Sequence, residues 1–337
     1  MLLKLKPEQL LPGMYVILPS NWMNHSFFKS SFLIKSWQQI EKIKQNGFEE
    51  VLIDTAKGIS LPEPGKDKEK GKTPSSHMGR QGPEDGNGSG EPGDIVPDIL
   101  KEAVTSGMAA EKKARIVYWS SLEIMGKLLA DPKSEKIAQA RGGIFHVVDA
   151  VFSEDISTQL IKLLRHDFYT YTHSVNVGML SLLLAKSLFT GSSGHNFDEL
   201  GAGFFLHDLG KAHIPQDIIN KPGPLTETEW EIMKSHPEKG YDLLLNAGQL
   251  TEESRVIVMQ HHEKENGSGY PLGLKGEEIF LYARICRLAD VFDALTSNRP
   301  YQAKRSAFDA LNLMKKGMSF DDDLFNKFVR LFEDKGK

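Results

Sequence analysis

Seven side chains in the second half of this 337-residue chain have the types and spacing to hold metal ions: His173, His207, Asp208, His236, His261, His262 and Asp290. An eighth, Lys211, stands among them. The densest stretch is Phe204-Phe205-Leu206-His207-Asp208-Leu209-Gly210-Lys211, where an apolar run leads inward and then delivers an imidazole, a carboxylate and an ammonium. Charge carried into an apolar surround is strongly unfavourable unless it is paired or bound to a cation. Five histidines and two aspartates, each beside an apolar segment, form a nitrogen- and oxygen-donor set suited to two divalent cations sharing a bridging carboxylate. The chain has one cysteine and no zinc-finger spacing, which disfavours a structural zinc site.

Taken singly, each residue has an ordinary structural role. His173 can be a core or capping histidine, His236 before Pro237 can cap a helix start, Asp290 can be a buried structural acid, and Lys211 can simply pair with Asp208. The chain carries its own control, because His166-Asp167 is also a His-Asp pair yet is followed by Phe168-Tyr169-Thr170 and not by Gly-Lys. The adjacent pair His261-His262 is more informative. Neighbours on a helix point roughly 100° apart, so both reach one centre only near a helix end or in a concave pocket. Asn266-Gly267-Ser268-Gly269-Tyr270-Pro271 ends that helix and permits close backbone approach.

The elements that must position these groups read as helices almost throughout. An apolar stripe through Ile116, Val117, Leu122, Met125, Leu128 and Leu129 ends at Asp131-Pro132, the end of one long helix or of a kinked pair that begins near Ile95. Further helical segments are predicted near 134–152, 155–166, 171–189, 197–207, 226–234, 236–246, 251–264, 278–296, 305–316 and 321–333. The expected architecture is a mainly α helical bundle without internal repeats. Residues 1–60 differ, reading as a small α+β accessory domain: a turn at Pro12-Gly13, strands at Met14–Leu18 and Glu50–Asp54, and a helix at Ser36–Lys44 with Ser36 as N-cap and Gly47 beyond its end. Residues 61–94, rich in Gly, Pro and charge, cannot bury enough apolar area to offset their ordering entropy and read as a flexible linker. Residues 95–150 are then connecting helices, and 151–337 the domain that carries the candidate metal ligands.

The composition, 40% hydrophobic and 26% charged, is that of an ordinary soluble chain, with no run long enough to span a membrane. Met1-Leu2-Leu3-Lys4-Leu5-Lys6-Pro7 lacks the apolar core of a signal peptide, so a cytoplasmic location is expected. The single Cys286 excludes an intrachain disulfide framework and is expected to serve packing. A formal charge of −4 argues against broad attraction to nucleic acid polymers or anionic lipid, while leaving room for a small anion held by local positive charge.

Six separated motifs then agree with one family. His207-Asp208-Leu209-Gly210-Lys211, His236-Pro237, His261-His262-Glu263, Gly269-Tyr270-Pro271, Asp290-Val291-Phe292-Asp293-Ala294-Leu295-Thr296 and Arg299-Pro300-Tyr301 occur in the order and rough spacing of the HD-GYP family, over about residues 150–318. The chain resembles these HD-superfamily phosphodiesterases, which hydrolyse cyclic di-GMP. Residues 1–60 are also similar to the small N-terminal domain found in one branch of that family, through Leu11–Val16, Phe32–Lys35 and Val51–Asp54.

The resemblance implies that Asp208 bridges two metals, with His173, His207 and Asp290 on one side and His236, His261 and His262 on the other. Such a pair lowers the pKa of a bridging water, holds a phosphate oxygen and offsets the charge of an in-line displacement. It further implies a catalytic or phosphate-neutralising role for Lys211, substrate contact by Tyr270, and phosphate or guanine recognition by the planar donor fork of Arg299. Two positions depart from the family. Tyr169 stands where some members carry a glutamate that completes a third metal position, which favours two metals, iron or manganese, over three. Gln302 replaces a basic residue that often follows Arg-Pro-Tyr, which bears on substrate affinity. The expected function is hydrolysis of cyclic di-GMP to linear pGpG, with a second cut to GMP open to the same centre. The alternatives are a related enzyme for another cyclic dinucleotide or nucleotide, and a weakly catalytic signalling module that binds the nucleotide. Self-association through the helix near 95–130 and contacts with signalling proteins are left open.

Overall fold

The fold is that of a computed structural model, which describes residues 2–7, 10, 14–18, 31–34, 37–48, 50–54, 100–101, 107–153, 156–164, 170–297 and 305–333. The expected linker, the Pro12-Gly13 turn, Ser36, the His166-Asp167 pair, Tyr169, Arg299 and Gln302 lie outside the described residues. The chain divides into two compact units, Met1–Asp94 and Ile95–Lys337.

In the first unit, strands β1 (Leu2–Leu5), β2 (Tyr15–Ile17), β3 (Ser31–Leu33) and β4 (Val51–Asp54) form an antiparallel sheet in the order β1-β4-β2-β3. Helix α1 (Trp37–Gln45) presents the buried residues Ile40 and Ile43. Met14, Val16, Ile34, Val51 and Ile53 complete this core. Gly47 follows the helix at φ 70°, the left-handed conformation that glycine adopts at no steric cost. β2, α1 and β4 fall where alternation and periodicity place them. β1 and β3 go beyond the expected strands, because runs of three or four residues at sheet edges carry too little pattern to stand out.

The second unit is helical. Its elements are α2 (Ala110–Ala130), α3 (Ser134–Ser153), α4 (Ser157–Leu163), α5 (Thr170–Phe189), α6 (Phe197–Leu206), α7 (Gln216–Ile219), α8 (Glu227–Lys234), α9 (His236–Asn246), α10 (Glu252–Gln260), α11 (Leu281–Thr296), α12 (Ala307–Gly317) and α13 (Asp322–Arg330). Helix α5 is apolar around nearly its whole circumference, and such a helix must be buried. It is wrapped by α2, α6 and α11. Val177, Leu180, Leu184, Phe204, Leu288 and Phe292 meet there, and Cys286 is buried among them.

Several local signals set the ends of these helices. Thr226 and Glu229 form a reciprocal capping box on α8, Asn196 caps α6, and α2 stops before Pro132. The helix expected over 251–264 ends earlier, at Gln260. That early stop places His261 at the helix C-cap and His262 just beyond it, the helix end at which neighbouring side chains can reach one centre.

Candidate metal centre

Five segments converge on one buried point. His173 lies in the first turn of α5, and His207 and Asp208 follow the C-terminus of α6. His236 opens α9, His261 and His262 follow α10, and Asp290 projects from the middle of α11. A short 3-10 turn, Leu209–His213, carries Lys211 and packs against the start of α9. Gly210 makes this contact possible, since a methyl group there would overlap the carbonyl oxygen of His236.

Asp208 is the centre of the arrangement. Its Oδ1 faces His236 Nε2 at 3.2 Å and His261 Nε2 at 3.7 Å. Its Oδ2 faces His173 Nε2 at 3.3 Å, His207 Nε2 at 3.4 Å and Lys211 Nζ at 2.5 Å. His173 Nε2 is also 3.2 Å from Asp290 Oδ1, and His262 Nδ1 is 3.6 Å from Asp290 Oδ2. Two clusters result, Asp208 with His236, His261 and His262, and Asp208 with His173 and His207, the donor atoms in each lying within 4.8 Å of one another.

The hydrogen bonds around the rings test whether cations fit. His207 Nδ1 donates to Phe204 O at 2.8 Å, His236 Nδ1 to Met233 O at 2.8 Å, and His261 Nδ1 to Val258 O at 2.9 Å. A neutral ring that donates through Nδ1 presents a lone pair at Nε2. His236 Nε2 and His261 Nε2 are nevertheless 3.2 Å apart. Two such lone pairs repel, and a cation held by both relieves the repulsion. His207 Nε2 and Asp208 Oδ1 are buried without a hydrogen-bond partner, which a buried polar atom rarely is. These residues fit metal ions.

The titration of the cluster points the same way. Burial lowers the pKa of His207 and brings that of His236 down to about 4, with Asp208 opposing in both cases. Burial and the neighbouring His261 push His262 well below its ordinary value. Burial opposes ionisation of Asp208, but Lys211 and His207 outweigh it and hold the carboxyl well below the usual range. Burial likewise opposes charge on Asp290, and His173 and His262 reverse it. Neutral imidazoles beside ionised carboxylates are the protonation states that metal binding requires. His173 is the exception. Burial disfavours its charge, yet Asp208, Asp290 and Asp293 raise its pKa well above the ordinary value, a measure of how strongly this pocket attracts positive charge.

Above the cluster opens a cleft of about 910 Å3, lined by His173, Lys211, His236, His262, Tyr270 and Asp290 among others. Tyr270 stacks on His262, with ring centroids 4.7 Å apart at 28°. Burial and the charges of Asp290 and Asp208 raise the pKa of its phenol, which stays protonated as a hydrogen-bond donor. Lys211 lines the same cleft while paired to Asp208, so it makes the structural ion pair and stands within reach of an anion.

Comparison with known proteins sets this geometry in a family. Residues 188–324 match the HD domain, and residues 2–137 match a domain of unknown function, DUF3391. The chain is 31% identical over 336 residues to the cyclic di-GMP phosphodiesterase PA4108 of Pseudomonas aeruginosa, covering 98% of this chain and 76% of that protein. The chain belongs to the HD-GYP family. It is also 37% identical over 173 residues to the 3'3'-cGAMP-specific phosphodiesterase 1 of Vibrio cholerae, covering 48% of this chain and 38% of that protein. Bd1817, an HDG"Y"P protein from Bdellovibrio bacteriovorus, shares the fold with a TM-score of 0.59 at 14% identity, covering 98% of this chain and 99% of that one.

Within this HD-GYP chain, four residues that sequence reasoning passed over support the site. Asp293 accepts from His173 Nδ1 at 2.7 Å, from Asn176 Nδ2 at 2.7 Å and from Ser297 Oγ at 3.2 Å. The hydroxyl of the buried Tyr118 on α2 donates to Asn176 Oδ1 at 3.0 Å. A signal existed for two of them, since His173 and Asn176, and Asp290 and Asp293, are both i, i+3 pairs sharing a helix face. The fourth is Glu263. Its buried carboxylate accepts the backbone N–H groups of Leu272 at 2.6 Å, Gly273 at 3.1 Å and Leu274 at 3.0 Å. Gly269 meets the same segment from the other side, where a methyl group would overlap Glu263 Cα and Lys264 N. The Gly-Tyr-Pro loop is thereby clamped to the backbone that carries His261 and His262. Cys286 is buried, its thiol pKa raised chiefly by burial, in keeping with a packing role.

Proposed function

We propose that this HD-GYP chain hydrolyses cyclic di-GMP to linear pGpG at a two-metal centre, with a second cut to GMP open to the same centre. The observation that carries the reading is the division of Asp208, with one carboxylate oxygen toward His236 and His261 and the other toward His173 and His207. In this reading Asp208 would be shared by the two cations; His207, His173 and Asp290 would hold one, and His236, His261 and His262 the other. Iron or manganese suits this mixed imidazole and carboxylate set. Such a pair, when bound, activates water and offsets the charge that develops on a phosphodiester.

The chain's own residues do the rest. Tyr270 donates a hydrogen bond from its phenol to the substrate, Lys211 neutralises a phosphate oxygen, and Arg299 adds a planar donor fork. Residues 1–60 serve as an accessory domain, 61–94 as a linker, 95–150 as connecting helices and 151–337 as the catalytic domain. No described helix is long and apolar enough to cross a membrane, and the reading puts the enzyme in the cytoplasm.

The likeness to a 3'3'-cGAMP-specific phosphodiesterase supports a second reading, in which a mixed cyclic dinucleotide is the preferred substrate. One experiment tests both. Anaerobically purified protein, loaded with iron or manganese, is assayed by chromatography against cyclic di-GMP, 3'3'-cGAMP and cyclic di-AMP, with metal content measured in parallel. Two metals per chain and release of pGpG support the first reading. Tight binding of cyclic di-GMP without turnover would make the chain a receptor, and a higher kcat/KM for 3'3'-cGAMP would favour the second reading.

A further inference from the structure

The cleft above the metal centre has a second wall that the hydrolytic machinery does not use. Ile218, Ile219, Pro224, Leu225, Trp230 and Met233, contributed by α7, α8 and the turn between them, line the cleft together with Val291, Ala294 and Leu295 of α11. Trp230 stands out on this wall, because its side chain is large and 44% exposed, whereas Trp119 on α2 is buried. No residue of α8 is fully buried, and the helix is held by the Thr226–Glu229 capping box and the Lys221–Glu229 ion pair. An indole left half in water at the edge of a cleft forgoes burial that a folded chain ordinarily exploits.

The neighbours of Trp230 give this exposure a direction. Its ring meets Tyr270 edge to face at 5.9 Å and 79°, Tyr270 stacks on His262, and His262 stands beside Asp290. A row of rings thus runs from the donor cluster to the half-exposed indole, polar at its buried end and apolar at its exposed end. A cyclic dinucleotide has the same polarity. Its phosphodiester must reach the charged floor, and its flat bases must leave water for an apolar face nearby.

We infer that Trp230 is a specificity-determining residue that stacks a purine base of the substrate while the scissile diester lies over Asp208. This inference rests on the cyclic dinucleotide reading and names the part of the site that recognises the base. Aromatic stacking on a base tolerates either purine, so the platform selects cyclic dinucleotides over simple diesters without choosing between guanine and adenine.

Trp230→Ala and Trp230→Phe test it against cyclic di-GMP and methyl p-nitrophenyl phosphate, a diester without a base. Trp230→Ala is expected to raise KM for cyclic di-GMP roughly tenfold more than for the simple diester, with kcat affected far less, and Trp230→Phe to restore most of the loss. Fluorescence supplies a readout independent of turnover. GMP, which has no diester to cleave, is expected to quench tryptophan emission of the manganese-loaded wild type where ribose 5-phosphate does not, and calorimetric titration to give a GMP affinity roughly tenfold weaker in Trp230→Ala. Equal losses on both diesters, or GMP binding as tight in Trp230→Ala as in wild type, would overturn the platform while leaving the hydrolase reading in place. Wild-type protein that cleaves the simple diester but neither binds nor cleaves any cyclic dinucleotide removes the substrate reading and the platform together.

Discussion

At the scale of single residues, the site is a problem of placing negative charge where a cation can use it. Asp208 is buried, yet each of its oxygens has a different set of nitrogen neighbours, which a monodentate structural acid would not need. Asp208→Asn keeps the volume, removes the charge and turns one oxygen into a donor facing imidazole lone pairs. Metal content is expected to fall from two per chain to below one and hydrolysis to vanish, with the helical circular-dichroism signal retained; full metal loading in this variant would rule out the bridge. Glu263 acts differently, since its carboxylate satisfies three backbone donors of the loop that carries Tyr270. Glu263→Gln offers one acceptor oxygen in place of two and loses charge-assisted bonds worth about 1.5–3 kcal/mol each. The expected result is a raised KM and a lower Tm with metal content unchanged. A loss of metal in proportion to activity would show that Glu263 acts on His261 and His262 instead.

At the scale of elements, α5 and α11 pack against one another and carry three of the residues that face the centre or support it, His173, Asp290 and Asp293. His173 and Asn176 on α5 meet Asp293 on α11, and Tyr118 on α2 completes the line of hydrogen bonds. Carboxylates behind a ligating histidine fix its ring and raise its basicity, and removing them typically costs about ten- to a hundredfold in metal affinity. Asp293→Asn is therefore expected to weaken metal retention by that factor in a chelator competition. Tyr118→Phe, two hydrogen bonds further out, removes a neutral bond worth about 1 kcal/mol, and its effect on retention is expected to be several-fold smaller. An equal effect of both variants would mean that the line acts as one unit. The DUF3391 match runs to residue 137 and so includes α2, which places Tyr118 in the part of the chain that precedes the HD domain match at residue 188.

At the scale of the whole molecule, candidate donor groups drawn from between His173 and Asp290 bring distant parts of the second unit to one point. Anything that binds only the folded state stabilises it by mass action, about 2.7 kcal/mol for a ligand at a hundred times its Kd. For a unit of this size each kcal/mol moves Tm by about 2–4 °C, so removing the metals is expected to lower Tm by roughly 5–10 °C. Scanning calorimetry of the chelated and reloaded protein checks this. An unchanged Tm would mean that the ligands are held in place by packing alone.

The sequence by itself determined most helices of the second unit, because an apolar stripe of period 3.6 is a local record of which face will be buried; the four-residue α7 is too short to carry such a stripe and was not among them. It also determined the residue types at the centre, since imidazoles and carboxylates beside apolar runs are costly to bury alone and so point to a bound cation. Tertiary structure alone decided how these parts face one another. Which oxygen of Asp208 meets which histidine depends on the early end of α10 at Gln260 and on the close contact at Gly210, neither of which leaves a periodic trace. The Asn176–Asp293 bond joins positions 117 residues apart, and the clamp of Glu263 on the Gly-Tyr-Pro loop depends on backbone donors that carry no side-chain signature. Periodicity reports burial along one element, whereas contacts between elements are set by the packing of the whole unit.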